Sequence, residues 1–534
     1  MADDLAIDLM KRFGALESQR QTWESHWQEV GDFIIPRKAD ITRVRSPGDK
    51  RTELIFDGTA GMAAQLLSSS LHGMLTNMST KWFSLQYQTD ELNMNDEARE
   101  WLGDVERKMY AAFQRSNFNE QIHELYHDLV TFGTAIMFVE QDDEFSVNFS
   151  TRHISECYVT EDDKGRIDTV YRKFKMPARA AINRFGEENF TSKMLKLEKE
   201  KPYENITLLH AVYRRDDRDT TKVDAQNKPI ASVYLEPDEK KVLSESGFDE
   251  FPYLTPRFFK ASFEIGYGRS PAMTALADVK MINAMSEVSI RAAQKQVDPP
   301  LLVPDDGFIL PIRTVPGGLN FYRAGSRDRL EPLNIGANNP VGLNMEEQRR
   351  KAIQSAFYVD QLTTGQSPTM TATQIIQMTE EKMRIMGPLL GRLQAELLQP
   401  LISRTYNILA RSQAFKPAPE SIQGEGFDIE YVSPLAKAQR AGDVQSILQF
   451  IELSQPLANI DPGVVDYLDT DNLIKHLISA LSVPAKVVRD QAQVEEIRET
   501  RSQQQAAQAE QEQLAQAAEA AGNAAPFVKA VANE

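Results

Sequence analysis

Residues 266–300 read GYGRSPAMTALADVKMINAMSEVSIRAAQKQVDPP. Ser270 offers a hydroxyl to the orphan N–H groups of a helix start, and Pro271 suits the first helical position, where its missing N–H costs nothing. Asp298, Pro299 and Pro300 stop the helix, because proline has no donor and disfavours helix in the residue before it. Residues 271–297 therefore predict a rod of roughly 40 Å at ~1.5 Å per residue. Leu276, Val279, Ile282, Met285 and Val288 (or Ser289) recur at helical spacing and make one apolar face. Asp278, Lys280, Asn283, Glu287, Arg291 and Gln294 make the other. Taken alone, this is an amphipathic helix packed on a core. The segments on either side give it a more particular meaning.

Downstream, residues 301–339 are interrupted by Pro304, Pro311, Pro316, Gly317, Gly318 and Pro332. They predict a small β-containing insert, too short to bury a core of its own. Asn344 with Glu347 three residues on resembles a capping pair, and MEEQRRKAIQSAFYV follows as a second helix. Two helices flanking an insert predict an antiparallel hairpin with the insert at its far end. Residues 360–370, DQLTTGQSPTM, are polar and contain Gly365 and Pro368, which predicts a loop. Thr371 and Gln374 then open a long helical pattern over 372–414, with Gly387-Pro388 and Pro400 expected to kink or break it. Residues 417–433 read as a connector and 434–487 as short helices. Residues 490–522 are rich in Gln, Ala and Glu: a helix with few apolar contacts or a low-complexity tail.

Upstream, residues 3–35 predict a helix with Trp23, Trp27 and Val30 on one face, stopped by Pro36. A basic, turn-rich loop over 36–50 leads to a helix over 59–75. Residues 81–88 (KWFSLQYQ) alternate like a half-buried strand. Helices follow over 96–116 and 118–132, broken by Gly133, and AIMFVE at 135–140 predicts a buried strand. Between 145 and 260 lie the strand candidates FSVNFS, ECYVTED, IDTVYRKF, ITLLHAVYRR, IASVYLE and LTPRFFK, interrupted by a helix over 177–185. The predicted fold class is mixed α+β, mainly helical.

The chain has 534 residues, a formal net charge of −17 and one cysteine, Cys157. That length suggests several domains. An acidic chain is a poor candidate for tight non-specific DNA binding, which needs clustered Lys and Arg, but it suits a surface that lets DNA pass without sticking. A single cysteine allows no intrachain disulfide. The acidic opening Met1-Ala2-Asp3-Asp4 does not resemble a secretory leader, and no run of ~18 apolar residues predicts a membrane span.

One enzymatic motif is present. His123-Glu124-Leu125-Tyr126-His127 matches H-E-x-x-H, in which two histidines one helical turn apart bind zinc and the glutamate acts as base. Val130 and Gly133 stand where a metzincin continuation needs Gly and His, and Glu140 and Glu144 are poorly placed as third ligands. The plainer reading is two histidines on an ordinary helix, with a zinc metallopeptidase as the enzyme alternative. There is no phosphate-binding loop, and Gly266-Tyr267-Gly268 lacks the third glycine of a dinucleotide fingerprint. Asp142-Asp143, Asp162-Asp163 and Asp305-Asp306 read as solvated hairpin tips. Basic residues gather as Arg313, Arg323, Arg327 and Arg329 in the insert, and as Arg349, Arg350 and Lys351 with Lys295 on the two helices. Alone these are solvated faces; repeated around a ring they become circles of positive charge that can touch phosphate or a partner.

The order of helix, insert, antiparallel helix, polar loop and long kinked helix resembles the portal, or head-to-tail connector, proteins of short-tailed, podovirus-type double-stranded DNA bacteriophages. GYGRSP at 266–271, TGQSPTMTATQI at 364–375 and GPLLGRLQAELLQPLI at 387–402 carry the likeness. FIIPR at 33–37 and HELYHDLVTFGTAIMFVE at 123–140 add to it. A tail or baseplate structural protein is the other structural alternative.

The resemblance implies a ring subunit with wing, stem, clip and crown regions. The wing is 1–265, the first stem helix 266–297, the clip 298–340 and the second stem helix 341–358. A tunnel loop falls at 359–371, with Gln361, Leu362, Thr363, Thr364, Gly365 and Gln366 facing a channel. The long wing helix and connector follow at 372–433, the crown at 434–489 and the C-terminal helix or tail at 490–534. Implied partners are eleven further copies, double-stranded DNA in the channel, a terminase motor, capsid and scaffolding proteins, and tail adaptors that meet the clip arginines. Lys295, Arg349, Arg350 and Lys351 are the candidate channel charges. The family implies no cofactor, no metal, no catalysis and no membrane, with a place at the capsid portal vertex and in the host cytoplasm during assembly.

Overall fold

The chain divides into two compact units, 1–82 with 107–415, and 83–106 with 416–534. The computed structural model describes residues 2–302 apart from 47, 90, 91, 94 and 223, then 311, 321, 325, 331, 332 and 340–362. It further describes 386–431 apart from 423 and 425, and 444, 446–454, 456, 469–480, 489 and 493–508. The mixed helix-and-sheet class expected from the sequence holds over these residues.

In the first unit, the N-terminal helix Ala2–Ile34 ends where Pro36 opens a short 3-10 turn. Its Leu9 and Phe13 lie on a five-stranded antiparallel sheet whose strands run in sequence order: Cys157–Glu161, Ile167–Pro177, Asn205–Arg214, Ile230–Glu236 and Lys241–Phe248. Successive strand residues point to opposite faces. Tyr171, Leu209 and Val233 accordingly face the N-terminal helix. Phe174, Leu208 and Leu243 face a pair of helices, Ala178–Phe185 and Ser192–Glu200, that fill the connection between the second and third strands. The strand at Lys241–Phe248 and the helix at Ser192–Glu200 were not expected. The stretch LTPRFFK (254–260), expected as a strand, contributes only Leu254 to the two-residue strand Tyr253–Leu254, with isolated bridges at Arg257 and Phe259.

A second sheet pairs Ile136–Asp142 with Ser146–Arg152 on one side and with Tyr253–Leu254 on the other. Helix Phe118–Phe132 runs into it through Gly133, as its glycine break predicts. Phe113, Phe118 and Phe149 form an aromatic core between helix and sheet, with ring centroids 4.6 Å and 5.1 Å apart for the first and second pairs.

The predicted rod is helix Pro271–Val297, and the return helix is Pro340–Ala356. The return helix begins before the expected capping pair, so Asn344 lies inside it and caps nothing; Pro340 stands at its first position, where proline fits. Between the two, Leu301–Leu302 pairs antiparallel with Glu331–Pro332. The rest of the insert, with Arg313, Arg323, Arg327 and Arg329, lies outside the described residues. So do Thr363 to Gln366 of the predicted loop, the first part of the long helix and most of 434–489.

The described part of the long helix begins at Met386, so Gly387-Pro388 falls in its first turn, and the stretch before it lies outside the described residues. The helix survives Pro400. Residues Gln394–Leu398 form a π-helical turn, in which the Gln399 N–H donates to the Gln394 carbonyl, and an α-helix continues over Gln399–Arg411. The wider turn absorbs the missing proline N–H and the ring's bulk, so the break expected there is a bulge instead.

In the second unit, the predicted strand is Phe83–Tyr87, and it pairs antiparallel with Phe427–Tyr431. The latter falls in the segment expected to be a plain connector. Glu430 accepts from the Ser84 hydroxyl at 3.1 Å, and the Gln88 side-chain amide donates to Asp428 at 2.9 Å. The Tyr87 hydroxyl donates to the Ala98 carbonyl at 3.2 Å. Helix Thr470–Ala480 lies further along this unit.

Candidate functional site

The site is the helical hairpin together with the socket that holds its base. The socket is built from the end of helix Phe118–Phe132. Gly133 takes the left-handed conformation there (φ 78°) and its N–H donates to the Leu129 carbonyl, a common glycine C-cap. Its own carbonyl accepts from the Phe258 N–H at 2.9 Å. The Gly268 N–H donates to the Thr134 hydroxyl at 2.8 Å. Ser270 does two things at once. Its hydroxyl accepts from the Met273 N–H at 3.0 Å, as the capping signature predicts, and donates to the Thr131 carbonyl at 2.7 Å. A helix start and a helix end are thus tied by one side chain. Tyr267 is buried under Trp27, with ring centroids 5.0 Å apart, and the Trp27 indole donates to the Phe132 carbonyl at 3.1 Å. The two sequence segments GYGRSP and HELYHDLVTFG are thereby brought together.

The H-E-x-x-H residues serve this socket. Glu124 and Asp128, one helical turn apart, both grip the ammonium of Lys38 at 2.5 Å. The carboxylate that a peptidase would need as its base is therefore engaged in an ion pair. His123 rests on His72, with centroids 5.6 Å apart. His127 is held to about 4, chiefly by burial and then by Arg37 and Lys38. Burial pushes the Asp128 carboxyl up to about 6, against the pull of Lys38. Among the described residues no group of three or more His, Cys, Asp or Glu is placed to hold a metal.

A second ion network pins the π-turn to the socket. Buried Arg257 donates to Glu161 at 2.6 Å, to Glu396 at 2.7 Å and to the Gly165 carbonyl at 2.8 Å. Lys260 completes it through Glu161 at 2.8 Å. No sequence motif marked these residues. The signal that existed was Glu396 inside the turn that precedes Pro400.

The hairpin itself is cross-linked by polar groups. Arg349 pairs with Asp278 at 2.8 Å and the Ser289 hydroxyl donates to Glu346 at 2.6 Å, while Arg350 holds Glu346 from one turn along the same helix at 3.2 Å. Arg350 also reaches Asp57 at 3.0 Å, in the loop before helix Thr59–Leu75. Asn283, expected on the polar outer face, is buried, and its side-chain oxygen accepts from the Phe56 and Asp57 N–H groups. Of the two candidates for the last place on the packed face, Val288 or Ser289, it is half-buried Ser289 that stands towards the return helix, while Val288 is 66% exposed. The cause is one of packing partners. A loop and a polar helix, not an apolar core, cover the middle of the rod.

Of the candidate charges, Arg349 and Arg350 are thus bound within the chain, whereas Lys295 and Lys351 are exposed. Gln361 and Leu362 end a short helical turn, Val359–Leu362.

This is an interdigitated scaffold whose buried charges hold its elements together. The sequence matches the bacteriophage head to tail connecting protein family over residues 6–488. It is 32% identical to the probable portal protein of Bordetella phage BPP-1, over 92% of this chain and 90% of that one. It is also 32% identical to the portal protein of Salmonella phage epsilon15, over 93% of this chain and 91% of that one. The chain belongs to the bacteriophage head-to-tail connecting protein family, the structural, non-enzymatic portal proteins of the head–tail junction. Neither the metallopeptidase nor the baseplate alternative finds support among these relatives.

Proposed function

We propose that twelve copies of this chain close into a ring at one capsid vertex and form the channel through which double-stranded DNA is packaged and later ejected. One observation supports the ring: among the described residues, nothing covers the rod beyond its middle, where Val288 and Val297 are exposed to 66% and 88%. Apolar residues on a rod that no described residue covers suit a contact with a second copy, and a head-to-tail contact that closes makes a ring. The hairpin is then the stem, 266–297 with 341–358, and the insert at 298–340 is the clip that meets first a terminase motor and then the tail adaptors. The wing at 1–265 and the crown at 434–489 face the capsid, its scaffolding proteins and its interior. The loop at 359–371 projects into the channel, and assembly takes place in the host cytoplasm before the ring enters the virion. Among the described residues no helix is long and apolar enough to cross a membrane.

With Arg349 and Arg350 committed to Asp278 and Asp57, Lys295 and Lys351 are the stem charges left to meet phosphate. The strongly acidic remainder keeps the passing duplex from sticking. Electron microscopy and native mass spectrometry of the purified chain test this reading. An annulus of about twelve subunits is expected; compact monomers under all assembly conditions would overturn it. Deleting Thr363 to Gln366 separates the loop's role from assembly: rings should persist while DNA filling or retention fails.

A further inference from the structure

The rod carries a second seam that the hairpin does not use. Between Thr274 and Arg291, nearly every exposed position falls on one spacing: Thr274, Ala277, Met281, Ala284, Val288 and Arg291, with Lys295 one step further. The intervals alternate three and four, which is the heptad repeat of a helix that packs along another helix. Ala277 and Ala284 have side chains small enough for close approach, and Met281 and Val288 are the knobs. The in-chain face is a different one, through Leu276, Val279, Ile282 and Ser286.

The return helix shows a matching edge. The Ser289–Glu346 hydrogen bond of 2.6 Å fixes the two helices in height. At that height the rod exposes Val288 on this seam, and the return helix exposes Leu343, four positions before Glu347 on one edge. Arg291 stands on the rod within one turn of this level, and exposed Glu347 stands on the return helix beside it. In a ring, rotation about the axis sets residues of equal height opposite one another. Rod against rod would therefore bring Arg291 near Arg291. Rod against return helix brings apolar to apolar and Arg291 to Glu347.

We infer that the seam Ala277–Met281–Ala284–Val288 of one copy packs on the Leu343–Glu347 edge of the next copy's return helix. This rests on the ring reading and assigns its stem contact. Cross-linking tests it in the full chain. Cys157 is buried, so it contributes little background to a short bismaleimide probe. The double variant Val288→Cys, Leu343→Cys should give a ladder of covalent multimers on a denaturing gel, whereas Val288→Cys alone should stay monomeric. Dimers from Val288→Cys alone would mean rod against rod and overturn the assignment. So would a double variant that forms rings but no ladder. Ala284→Arg provides the second arm: the exposed site leaves the lone chain's circular dichroism and melting unchanged, while the ring fraction falls at least tenfold. Rings of wild-type abundance from Ala284→Arg would overturn the seam yet leave the ring reading standing. Absence of rings from the wild-type chain would remove both.

Discussion

Gly133 and Gly268 meet backbone to backbone. A Cβ on Gly268 would lie 2.8 Å from the Gly133 carbonyl oxygen and 2.6 Å from that of Phe259, and one on Gly133 would lie 2.6 Å from the Arg269 carbonyl carbon. The rod is planted where helix Phe118–Phe132 stops, and only hydrogen atoms fit between them. Gly133→Ala should lower stability by about 2–4 kcal/mol, from its left-handed φ and from the backbone shift it forces. Gly14→Ala, in the N-terminal helix with nothing within 4 Å of the new methyl, should instead raise it by about 0.5–1 kcal/mol. Urea midpoints of the two variants check the contrast.

Arg257 holds Glu161 and Glu396 together from a buried position, 2% exposed. Arg257→Ala leaves two carboxylates facing each other without their cation, and should destabilise by about 3–5 kcal/mol. Adding Glu396→Gln to it should recover part of that loss, because one of the stranded charges is then gone. A double-mutant cycle by chemical denaturation measures the coupling; strict additivity would mean that the network stabilises nothing as a unit.

Acid should loosen the socket. His127 and His153 are each held to about 4, by burial first. In the unfolded chain both would protonate near 6.5, so the unfolded state binds more protons between those values and stability falls as pH drops from about 6.5 to 4. Each contributes at most about 3 kcal/mol at ~1.36 kcal/mol per unit. Asp128 works the other way: its carboxyl, pushed up to about 6, recovers stability as pH falls from 6 towards 4. Two histidines outweigh one aspartate, so the melting temperature should decline over this window. His153→Phe should flatten the curve; an unchanged slope would exclude this residue as its source.

The hairpin charges divide into two classes by partner. Arg350→Glu faces Asp57 and Glu346 with a like charge and should lower stability by about 1–3 kcal/mol; combining it with Asp57→Lys should restore part of it. Lys295→Glu and Lys351→Glu should stay within about 0.5 kcal/mol of wild type, because both side chains are exposed, while altering the salt dependence of DNA passage. Melting curves and packaging at two salt concentrations separate the classes.

What was legible in the sequence was local. Ser270 and Pro271 announce the rod, Gly133 announces a helix end, and alternating residues announce the strands around Tyr171 and Leu209. What escaped depends on partners distant in sequence. Asn283 reads as polar and outward until the loop at Phe56 and Asp57 is known to cover it. Arg349 and Arg350 read as free charges until Asp278 and Asp57 are found beside them. The Ala277–Ala284 stripe is invisible to a search for large apolar residues. Pro400 predicts a break, since the π-turn that accommodates it depends on packing around Glu396 that no propensity encodes.

The ladder between Phe83–Tyr87 and Phe427–Tyr431 has a consequence for synthesis. Gln88 and Asp428, joined beside it, stand 340 positions apart. At about 5–20 residues per second, a ribosome delivers the second strand roughly 20–70 s after the first. Until then Phe83–Tyr87 is a nascent β-edge with nowhere to go, and a truncated product that ends before Phe427 keeps it so. The sheet can close only once its C-terminal strand has been made, so products truncated before Phe427 should be more prone to aggregate than the full chain.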